Sequence, residues 1–375
     1  RGGGAPRGEP VDPSDLGTRF VTAADCVGRV AALARDQHGC RFLQRRLEEE
    51  GLAAVEACHK EVVAEAADLM CDSFGNYLVQ KVLECCCDEH VSAVLRALGE
   101  PAPASKPQEE RFRGLPEFTA VALNTHGTRA AQKLVDSLRT EEHFELARRA
   151  MEPGLVALIK DLNGNHVVQR CLKSFGPARA GFVHRAAAAA CVEVATSRHG
   201  CCVLQRCFDA ATPPQRQRLV GEMTAQALPL SRDPFGNYVV QYVLERGTDA
   251  ERAGVLSSLC GHVVALSQHK FASNVVEKCL AFCGEAERGA ILAEVLGADD
   301  RNEPLQAMMK DQYANYVVQK LLEVCSEPQR EALLGRMRAH LPALKRYTYG
   351  KHIVARVEKL ISQSGAVGAR RGGTK

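Results

Sequence analysis

The chain has 375 residues, of which 46% are hydrophobic and 25% are charged, and both fractions lie near the averages of globular proteins. This composition excludes wholesale disorder, and a formal net charge of only +3 excludes a protein that is basic over its whole surface. No apolar run approaches the roughly 18 residues of a membrane span, and residues 1–10 lack the apolar core of a signal peptide.

Sixteen cysteines are present without a C-x-x-C pair, and several are adjacent, such as Cys85, Cys86 and Cys87. A disulfide framework is typical of small secreted domains, whereas this chain is large. We therefore expect reduced thiols that pack as small apolar residues.

One phrase of 13 residues recurs along the chain, beginning with DQHGCRFLQRRLE (Asp36–Glu48) and DSFGNYLVQKVLE (Asp72–Glu84). A small residue anchors each copy, at Gly39, Gly75, Gly127, Gly164, Gly200, Gly236, Ala272, Ala314 and Gly350. Successive anchors are separated by 36, 52, 37, 36, 36, 36, 42 and 36 residues. A period of this length over nine copies predicts a stacked array of structural repeats.

Each copy is predicted to be helical. In the sixth copy, Val239, Val240, Val243 and Leu244 follow the i, i+1, i+4, i+5 spacing of a helix stripe. The Asp, Asn or Ser that opens a copy lies where its side-chain oxygen can cap free N–H groups. Because such a unit cannot bury its apolar face alone, neighbouring units must stack. The predicted fold is therefore all-α: a solenoid of about eight helical repeats with terminal caps.

The repeats predict one domain at residues 20–362, between a disordered tail at 1–19 and a basic disordered tail at 363–375. The two long separations indicate insertions. One is a proline-containing loop at about 99–116, and the other is a shorter loop at 297–304.

Some positions vary within each copy while the apolar frame is kept. Position 1 follows the anchor, position 2 is the next residue, and position 5 lies four residues after position 1, so the three project from one helix face. Positions 1 and 5 hold Cys40 and Gln44, Asn76 and Gln80, Thr128 and Gln132, Asn165 and Gln169, Cys201 and Gln205, Asn237 and Gln241, Ser273 and Glu277, and Asn315 and Gln319. Position 2 holds Arg41, Tyr77, Arg129, His166, Cys202, Tyr238, Asn274 and Tyr316. A basic residue occupies position 6 in seven copies: Arg45, Lys81, Lys133, Arg170, Arg206, Lys278 and Lys320.

Core packing does not require an amide in every unit, whereas a column of amides beside flat side chains suits unpaired nucleobases. We therefore predict a single-stranded RNA partner, with base edges at positions 1 and 5, stacking at position 2 and phosphates at position 6. The alternative is a ladder of Asn and Gln hydrogen bonds between repeats, with Tyr as packing. That alternative does not explain why Glu277 alone replaces Gln.

The phrases GNYVVQ, NGNHVVQ and KFASNVVEKC resemble the Pumilio (PUF) family of RNA-binding proteins over about Phe20 to Ile361. The resemblance implies a crescent-shaped, right-handed α-solenoid whose concave face binds single-stranded RNA antiparallel to the chain, one base per repeat. It also implies a cytoplasmic, monomeric regulator of messenger 3′ untranslated regions. Such a protein represses translation or promotes decay through recruited co-repressors or deadenylation factors, without enzymatic activity, cofactor or membrane contact.

The family's code implies uracil for Asn with Gln, guanine for Ser with Glu, and adenine for Cys with Gln. Applied from the C-terminal repeat backwards, it implies 5′-UGUA-N-A-U-A. Asn165 implies U at the fifth base, although family members often accept other bases at that position. Thr128 departs from the common side-chain pairs at the sixth base. Cys202 implies weaker stacking beside the fourth base. The insertion before the third unit leaves open a flipped-out base and a nine-nucleotide site.

Metal binding and catalysis have weaker support in the sequence. Cys279 and Cys283 are four residues apart, but no further ligands cluster with them, so we expect no metal site. His38 lies near Cys40, as expected for an activated thiol, but the same positions hold Asn, Thr or Ser in other copies, so we expect no enzyme. Two other functions stay open: an armadillo-like scaffold for peptides, and a nucleolar relative that acts in ribosomal RNA maturation.

Overall fold

The computed structural model of the protein describes residues 13–103, 113–297 and 304–359. Within these ranges the regular secondary structure is helical, and β-structure is limited to the isolated bridges between Leu16 and Phe20 and between Pro101 and Pro116. None of the helices in the described ranges combines the length and apolar character that a membrane crossing needs.

The α-helices in chain order are α1 (Val30–Ala34), α2 (Gln37–Glu50), α3 (Leu52–Ala64), α4 (Ala66–Cys71), α5 (Gly75–Cys85), α6 (Asp88–Gly99), α7 (Glu117–Leu123), α8 (Gly127–Asp136), α9 (Glu141–Met151), α10 (Leu155–Lys160), α11 (Gly164–Ser174), α12 (Gly176–Arg179), α13 (Gly181–Ala189), α14 (Cys191–Ala195), α15 (Gly200–Ala210), α16 (Pro213–Ala225), α17 (Ala227–Arg232), α18 (Gly236–Arg246), α19 (Asp249–Leu259), α20 (Val263–Ser267), α21 (Ala272–Phe282), α22 (Glu285–Leu296), α23 (Pro304–Lys310), α24 (Ala314–Val324), α25 (Glu327–Arg338) and α26 (Leu341–Leu344). Residues 350–359 are also helical.

Each predicted unit is a triplet of a short helix, a central helix and an outer helix, and α1–α3 form the first of eight such repeats. The central helices carry the recurring phrase: α2, α5, α8, α11, α15, α18, α21 and α24. In repeat 4 the outer helix is divided into α12 and α13. The prediction of an all-α array of repeats of about 36 residues is confirmed, and each repeat is a helix triplet.

The chain divides into two compact units. The first comprises the described residues up to Ala190 together with Cys202–Arg216, and the second comprises Cys191–Cys201 with the described residues from Gln217 onwards. Within the first unit α2, α5, α8 and α11 pack side by side in sequence order, and α3, α6 and α9 do the same. Within the second unit α18, α21 and α24 pack in the same manner. Stacking of like helices is therefore how the repeats share a core.

The apolar stripe of each central helix forms that core. Val239, Val240, Val243 and Leu244 are each at most 1% exposed, as their spacing predicts. Burial of one such side chain contributes about 1.5–3 kcal/mol, before the cost of ordering the chain is subtracted.

An acidic or polar side chain closes the turn before each central helix. Asp72 Oδ1 accepts hydrogen bonds from the backbone N–H groups of Phe74 (2.9 Å) and Gly75 (2.8 Å). Asp or Asn does the same in five other repeats, Ser197 caps Gly200, and His269 Nδ1 takes this place in repeat 7. The predicted caps are confirmed, and loss of one such cap costs about 1 kcal/mol.

The small anchor residue lets the central helix approach the preceding short helix closely. A Cβ atom on Gly75 would lie 2.7 Å from the carbonyl oxygen of Leu69, and one on Gly236 would lie 2.9 Å from that of Leu230. Ala272 and Ala314 occupy the same place in repeats 7 and 8, where the helix pairs accept a methyl group. Close packing of two backbones therefore explains the periodic small residue.

Most of the predicted tails and loops lie outside the described residues, namely 1–12, 104–112, 298–303 and 360–375. At the predicted insertion of about 99–116, the backbone N–H of Glu117 donates to the carbonyl of Glu100 at 2.9 Å. The two ends of that insertion therefore meet, and the repeat frame continues across it. All sixteen cysteines are free thiols, and ten of them are buried, as expected for small apolar residues.

Candidate nucleic-acid interface

The three variable positions have the same exposure in every repeat. Position 1 is buried, position 2 is exposed and position 5 is half-buried in all eight central helices. On a helix, position 5 lies between positions 1 and 2 in angle, so each repeat presents a graded set of side chains on one face. The face predicted from sequence is therefore a single structural surface on each central helix.

Four repeats share an identical Asn–Gln arrangement, of which repeat 4 is an example. Asn165 Nδ2 donates to the carbonyls of Asp161 (2.8 Å) and Leu162 (2.7 Å). Its Oδ1 accepts from Gln169 Nε2 at 2.8 Å. Because both Asn hydrogens point to carbonyls, its oxygen must face the Gln, and this fixes which end of the Gln amide points inward. Equivalent bonds join Asn76 to Gln80, Asn237 to Gln241 and Asn315 to Gln319.

Repeats 1 and 3 use other side chains at position 1 for the same purpose. Gln44 Nε2 donates to Cys40 Sγ at 3.2 Å, and Gln132 Nε2 donates to Thr128 Oγ1 at 3.3 Å. Cys40 Sγ in turn donates to the carbonyl of Phe74 in the next repeat, at 3.2 Å. The Gln side chains thus bond within their own helices, and these bonds do not form the inter-repeat amide ladder considered above.

Flat side chains project from position 2. Tyr238 is 57% exposed and Tyr316 is 56% exposed, which is unusual for large aromatic residues. Arg129 Nη1 lies 3.4 Å from the hydroxyl of Tyr77 in the preceding repeat. Arg41, His166, Cys202 and Asn274 are also exposed. Position 2 therefore offers surfaces for stacking rather than for core packing.

Repeat 7 differs from the other repeats because position 5 holds an ionisable carboxyl group in place of a neutral amide. Ser273 is buried and Glu277 is half-buried. Burial raises the pKa of the Glu277 carboxyl above its ordinary value of 4.5, and the nearby Lys320 acts in the opposite direction. A carboxylate here presents two acceptors and no donor, unlike the Gln of the other seven repeats.

Most of the basic side chains at position 6 pair with carboxylates. Lys81 Nζ lies 2.8 Å from Glu48 Oε1 of the preceding repeat and 3.0 Å from Glu84 Oε2. Lys133 Nζ lies 2.8 Å from Glu84 Oε1, so Glu84 joins two cations and its pKa is lowered by both. The phosphate role of this column stays a prediction. Similar pairs are Arg170–Asp136, Lys278–Glu245 and Lys320–Glu323, while Arg45 lies over the Phe42 ring and Arg206 is exposed.

A cleft of about 450 Å³ lies along α8, α11 and α15 in the first compact unit. Besides predicted residues such as Gln169 and Arg206, its lining includes Lys173 and Asp209, which sequence analysis did not select. Both lie four residues beyond position 5 of their helix, so they extend the same face by one turn. That spacing is the signal by which the sequence could have revealed them.

Among the described residues, no three His, Cys, Asp or Glu side chains are grouped so that they could hold a metal ion. Cys279 and Cys283 are both buried. A hydrogen bond with the Cys283 side chain, together with burial, raises the pKa of the Cys279 thiol.

Comparison with known families gives a match over much of the chain. A family model described as "Pumilio-family RNA binding repeat" matches residues 29–51, 66–98, 155–179, 190–224, 226–260, 262–296 and 306–336. Putative pumilio homolog 7, chloroplastic, of Arabidopsis thaliana is 41% identical over 177 residues, which are 47% of this chain and 25% of that protein. Pumilio domain-containing protein C6G9.14 of Schizosaccharomyces pombe is 35% identical over 192 residues, which are 51% of this chain and 26% of that protein. The aligned part therefore spans about a quarter of these relatives' length.

Solved structures extend the similarity over most of the chain. The Puf4 RNA-binding domain, bound to an HO endonuclease 3′ UTR sequence, is 35% identical with a TM-score of 0.73; the match covers 88% of this chain and 99% of that one. The RNA-binding domain of yeast Puf5p, bound to SMX2 RNA, is 27% identical with a TM-score of 0.77 and coverages of 94% and 100%.

We predict that Glu277→Gln stabilises the protein at neutral pH. Because the carboxyl pKa is raised in the folded state, the folded protein binds this proton more tightly than the unfolded chain does, so the wild type gains stability as pH falls towards 4.5. The advantage of the variant, measured by urea unfolding, should therefore be present at pH 7 and shrink towards zero at pH 4.

The control is Glu323→Gln, which removes an exposed partner of Lys320 from the same helix. It should change stability by about 0–1 kcal/mol and in the unfavourable direction. An advantage of Glu277→Gln that is equal at both pH values, or a loss at pH 7, would contradict the role of burial.

Proposed function

The chain belongs to the Pumilio family of RNA-binding repeat proteins, and from that premise we propose that it binds single-stranded RNA in a sequence-specific manner and acts in post-transcriptional regulation. The observation that carries the proposal is the recurrence, in all eight repeats, of a buried polar position, an exposed position and a half-buried amide or carboxylate on one helix face.

The chemistry of position 5 fits the edges of unpaired bases. A Gln amide held by its Nε2 presents its Oε1 as an acceptor, and in repeats 4, 6 and 8, where Nε2 bonds only to the Asn oxygen, it keeps a second N–H as a donor. This combination suits the mixed edges of uracil and adenine. Glu277 presents only acceptors, which suits the N1–H and N2–H donors of guanine. Hydrogen bonds at position 5 and stacking at position 2 would therefore specify and hold one base per repeat.

The proposed target is 5′-UGUA-N-A-U-A in messenger 3′ untranslated regions. The Asn–Gln geometry is the same in repeats 8, 6, 4 and 2, so these repeats should prefer the same base, uracil. Ser273 with Glu277 would place guanine second, and Cys201 with Gln205 would place adenine fourth. The fifth and sixth bases, opposite Asn165 and Thr128, are the least constrained.

The free energy expected for RNA binding is consistent with tight association. Stacking contributes about 1–3 kcal/mol per base, or about 8–24 kcal/mol for eight bases. Ordering of the RNA and loss of translational freedom offset much of that sum. A dissociation constant near 1 nM, about −12 kcal/mol, is consistent with this balance.

The regulatory effect is proposed to come from recruited proteins. In this view the chain acts in the cytoplasm as a monomer, and co-repressors or deadenylation factors carry out translational repression or decay of the bound messenger. The chain itself would select the messenger that is bound and would not catalyse a reaction.

Selection of bound RNAs from a random pool tests the proposal directly. We expect enrichment of UGUA followed by an A/U-rich tract with a variable fifth position. Strong RNA binding without base preference would contradict sequence-specific recognition. Selective capture of peptides in place of RNA would instead favour the armadillo-like scaffold. An A/U tract without the second-position guanine would contradict the role of Glu277.

The ion pairs at position 6 predict the effect of Glu84→Gln. Removing this carboxylate releases Lys133 and leaves Lys81 paired with Glu48 alone, so RNA of every sequence should bind about threefold more tightly, with a steeper dependence on salt. Lys133→Ala should weaken binding and reduce the salt slope by about 0.7. The measurement is a binding titration at several salt concentrations.

Glu142→Gln is the matched control, because Glu142 pairs with Arg96 on the outer helices α9 and α6. It should leave RNA affinity unchanged. If Glu84→Gln behaves like this control, the position-6 cations serve to hold repeats together and do not contact phosphate.

A further inference from the structure

A cysteine, a histidine and a glutamate are aligned at the start of α6, away from positions 1, 2 and 5. Cys87 Sγ lies 2.9 Å from His90 Nδ1, and the backbone N–H of Cys87 donates to the same nitrogen at 3.4 Å. A backbone N–H can only donate, so Nδ1 is the acceptor nitrogen of a neutral ring and Nε2 carries the hydrogen. That Nε2 lies 3.3 Å from Glu56 Oε1 of α3.

The two residues form the capping box of α6, and the same motif occurs elsewhere in the chain with other side chains. Thr248 with Glu251 caps α19, and Ser326 with Gln329 caps α25. A hydroxyl with a carboxylate or amide therefore satisfies the helix terminus. The thiol and imidazole of repeat 2 supply reactivity that capping does not require.

The surroundings of the thiol favour its reaction over that of its neighbours. Cys87 is half-buried, and the His90 side chain is only 8% exposed, which holds the ring in place. Burial raises the pKa of the Cys86 thiol to about 11 and also raises that of Cys85. These adjacent thiols therefore stay protonated near neutral pH, and their nucleophilicity is low.

Other charged groups also face the site. The Cys87 thiol lowers the pKa of the Glu89 carboxyl by hydrogen bonding to it, so the thiol has a second acceptor whose negative charge opposes a thiolate. His59 packs edge-on against His90, with ring centroids 4.2 Å apart, and Arg139 lies near Cys86. The His90 ring and the His90 backbone N–H therefore face the Cys87 sulfur from one side, and the Glu89 carboxylate is its further hydrogen-bond partner.

We propose that Cys87 is a nucleophilic thiol, with His90 as its general base and Glu56 as a positioning residue, and that it is a site of covalent modification by conjugated carbonyl compounds. In this step the Sγ electron pair forms a bond to the β-carbon of the acceptor, and the C=C pair moves towards the carbonyl oxygen. The thiol proton passes to His90 Nδ1 and then to the α-carbon of the adduct. No oxidant and no leaving group are needed.

The probe is N-ethylmaleimide in limiting amount on the folded full chain, with the modified cysteine located by fragmentation mass spectrometry. The exposed thiols Cys202 and Cys260 are internal references. Although both are more exposed than Cys87, we expect Cys87 to react about tenfold faster.

His90→Gln keeps a capping box of the Ser326–Gln329 kind but removes the base. It should lower the Cys87 rate about tenfold and leave the Cys202 and Cys260 rates unchanged, while Glu56→Gln should have a smaller effect in the same direction. Cys87→Ser should abolish the fast labelling. Thermal melting confirms that each variant is folded. Labelling of Cys87 no faster than that of Cys260, or an unchanged rate in His90→Gln, would overturn the proposal.

Discussion

The face formed by positions 1, 2 and 5 depends on one hydrogen bond from the amide of position 5 to the side chain of position 1, which recurs in repeats 1, 2, 3, 4, 6 and 8. An exposed Gln side chain costs about 1.5–2 kcal/mol to hold in one rotamer. Here the hydrogen bond to position 1 already holds the Gln rotamer in the free protein. In repeat 4, Asp161 caps the turn with its carboxylate and orients Asn165 with its carbonyl, and Asn165 then orients Gln169. The cap, the buried amide and the half-buried amide are therefore consecutive parts of one constraint.

The charge distribution follows from the same stacking. Consecutive central helices lie close enough that the acidic residue ending one recurring phrase pairs with the basic residue of the next, as Glu48 does with Lys81. This pairing explains how a chain of net charge +3 carries a regular basic column. It also means that the column is partly neutral in the free protein, and that phosphates of a bound RNA would have to compete with carboxylates already in place.

Sequence patterns predicted the parts of the structure that depend on periodicity. The anchor, the capping residue and the apolar stripe of the central helix recur with the same spacing, and each does what its chemistry indicates. The partners of the basic column were not predicted, because an ion pair between Lys133 and Glu84 joins residues 49 positions apart across an insertion. The Cys87–His90–Glu56 alignment escaped the sequence analysis for a similar reason, since Glu56 lies on a different helix in the preceding repeat. Contacts between repeats require the register of stacking, which the sequence period alone does not supply.

We expect each repeat to specify its base through its own pair of side chains, and the most direct test is a random-pool RNA selection with Ser273→Asn combined with Glu277→Gln. These changes give repeat 7 the Asn–Gln pair of repeats 2, 4, 6 and 8. The account predicts that the second base changes from G to U while the flanking bases stay the same. Retention of G at that position, or loss of preference along the whole site, would contradict it.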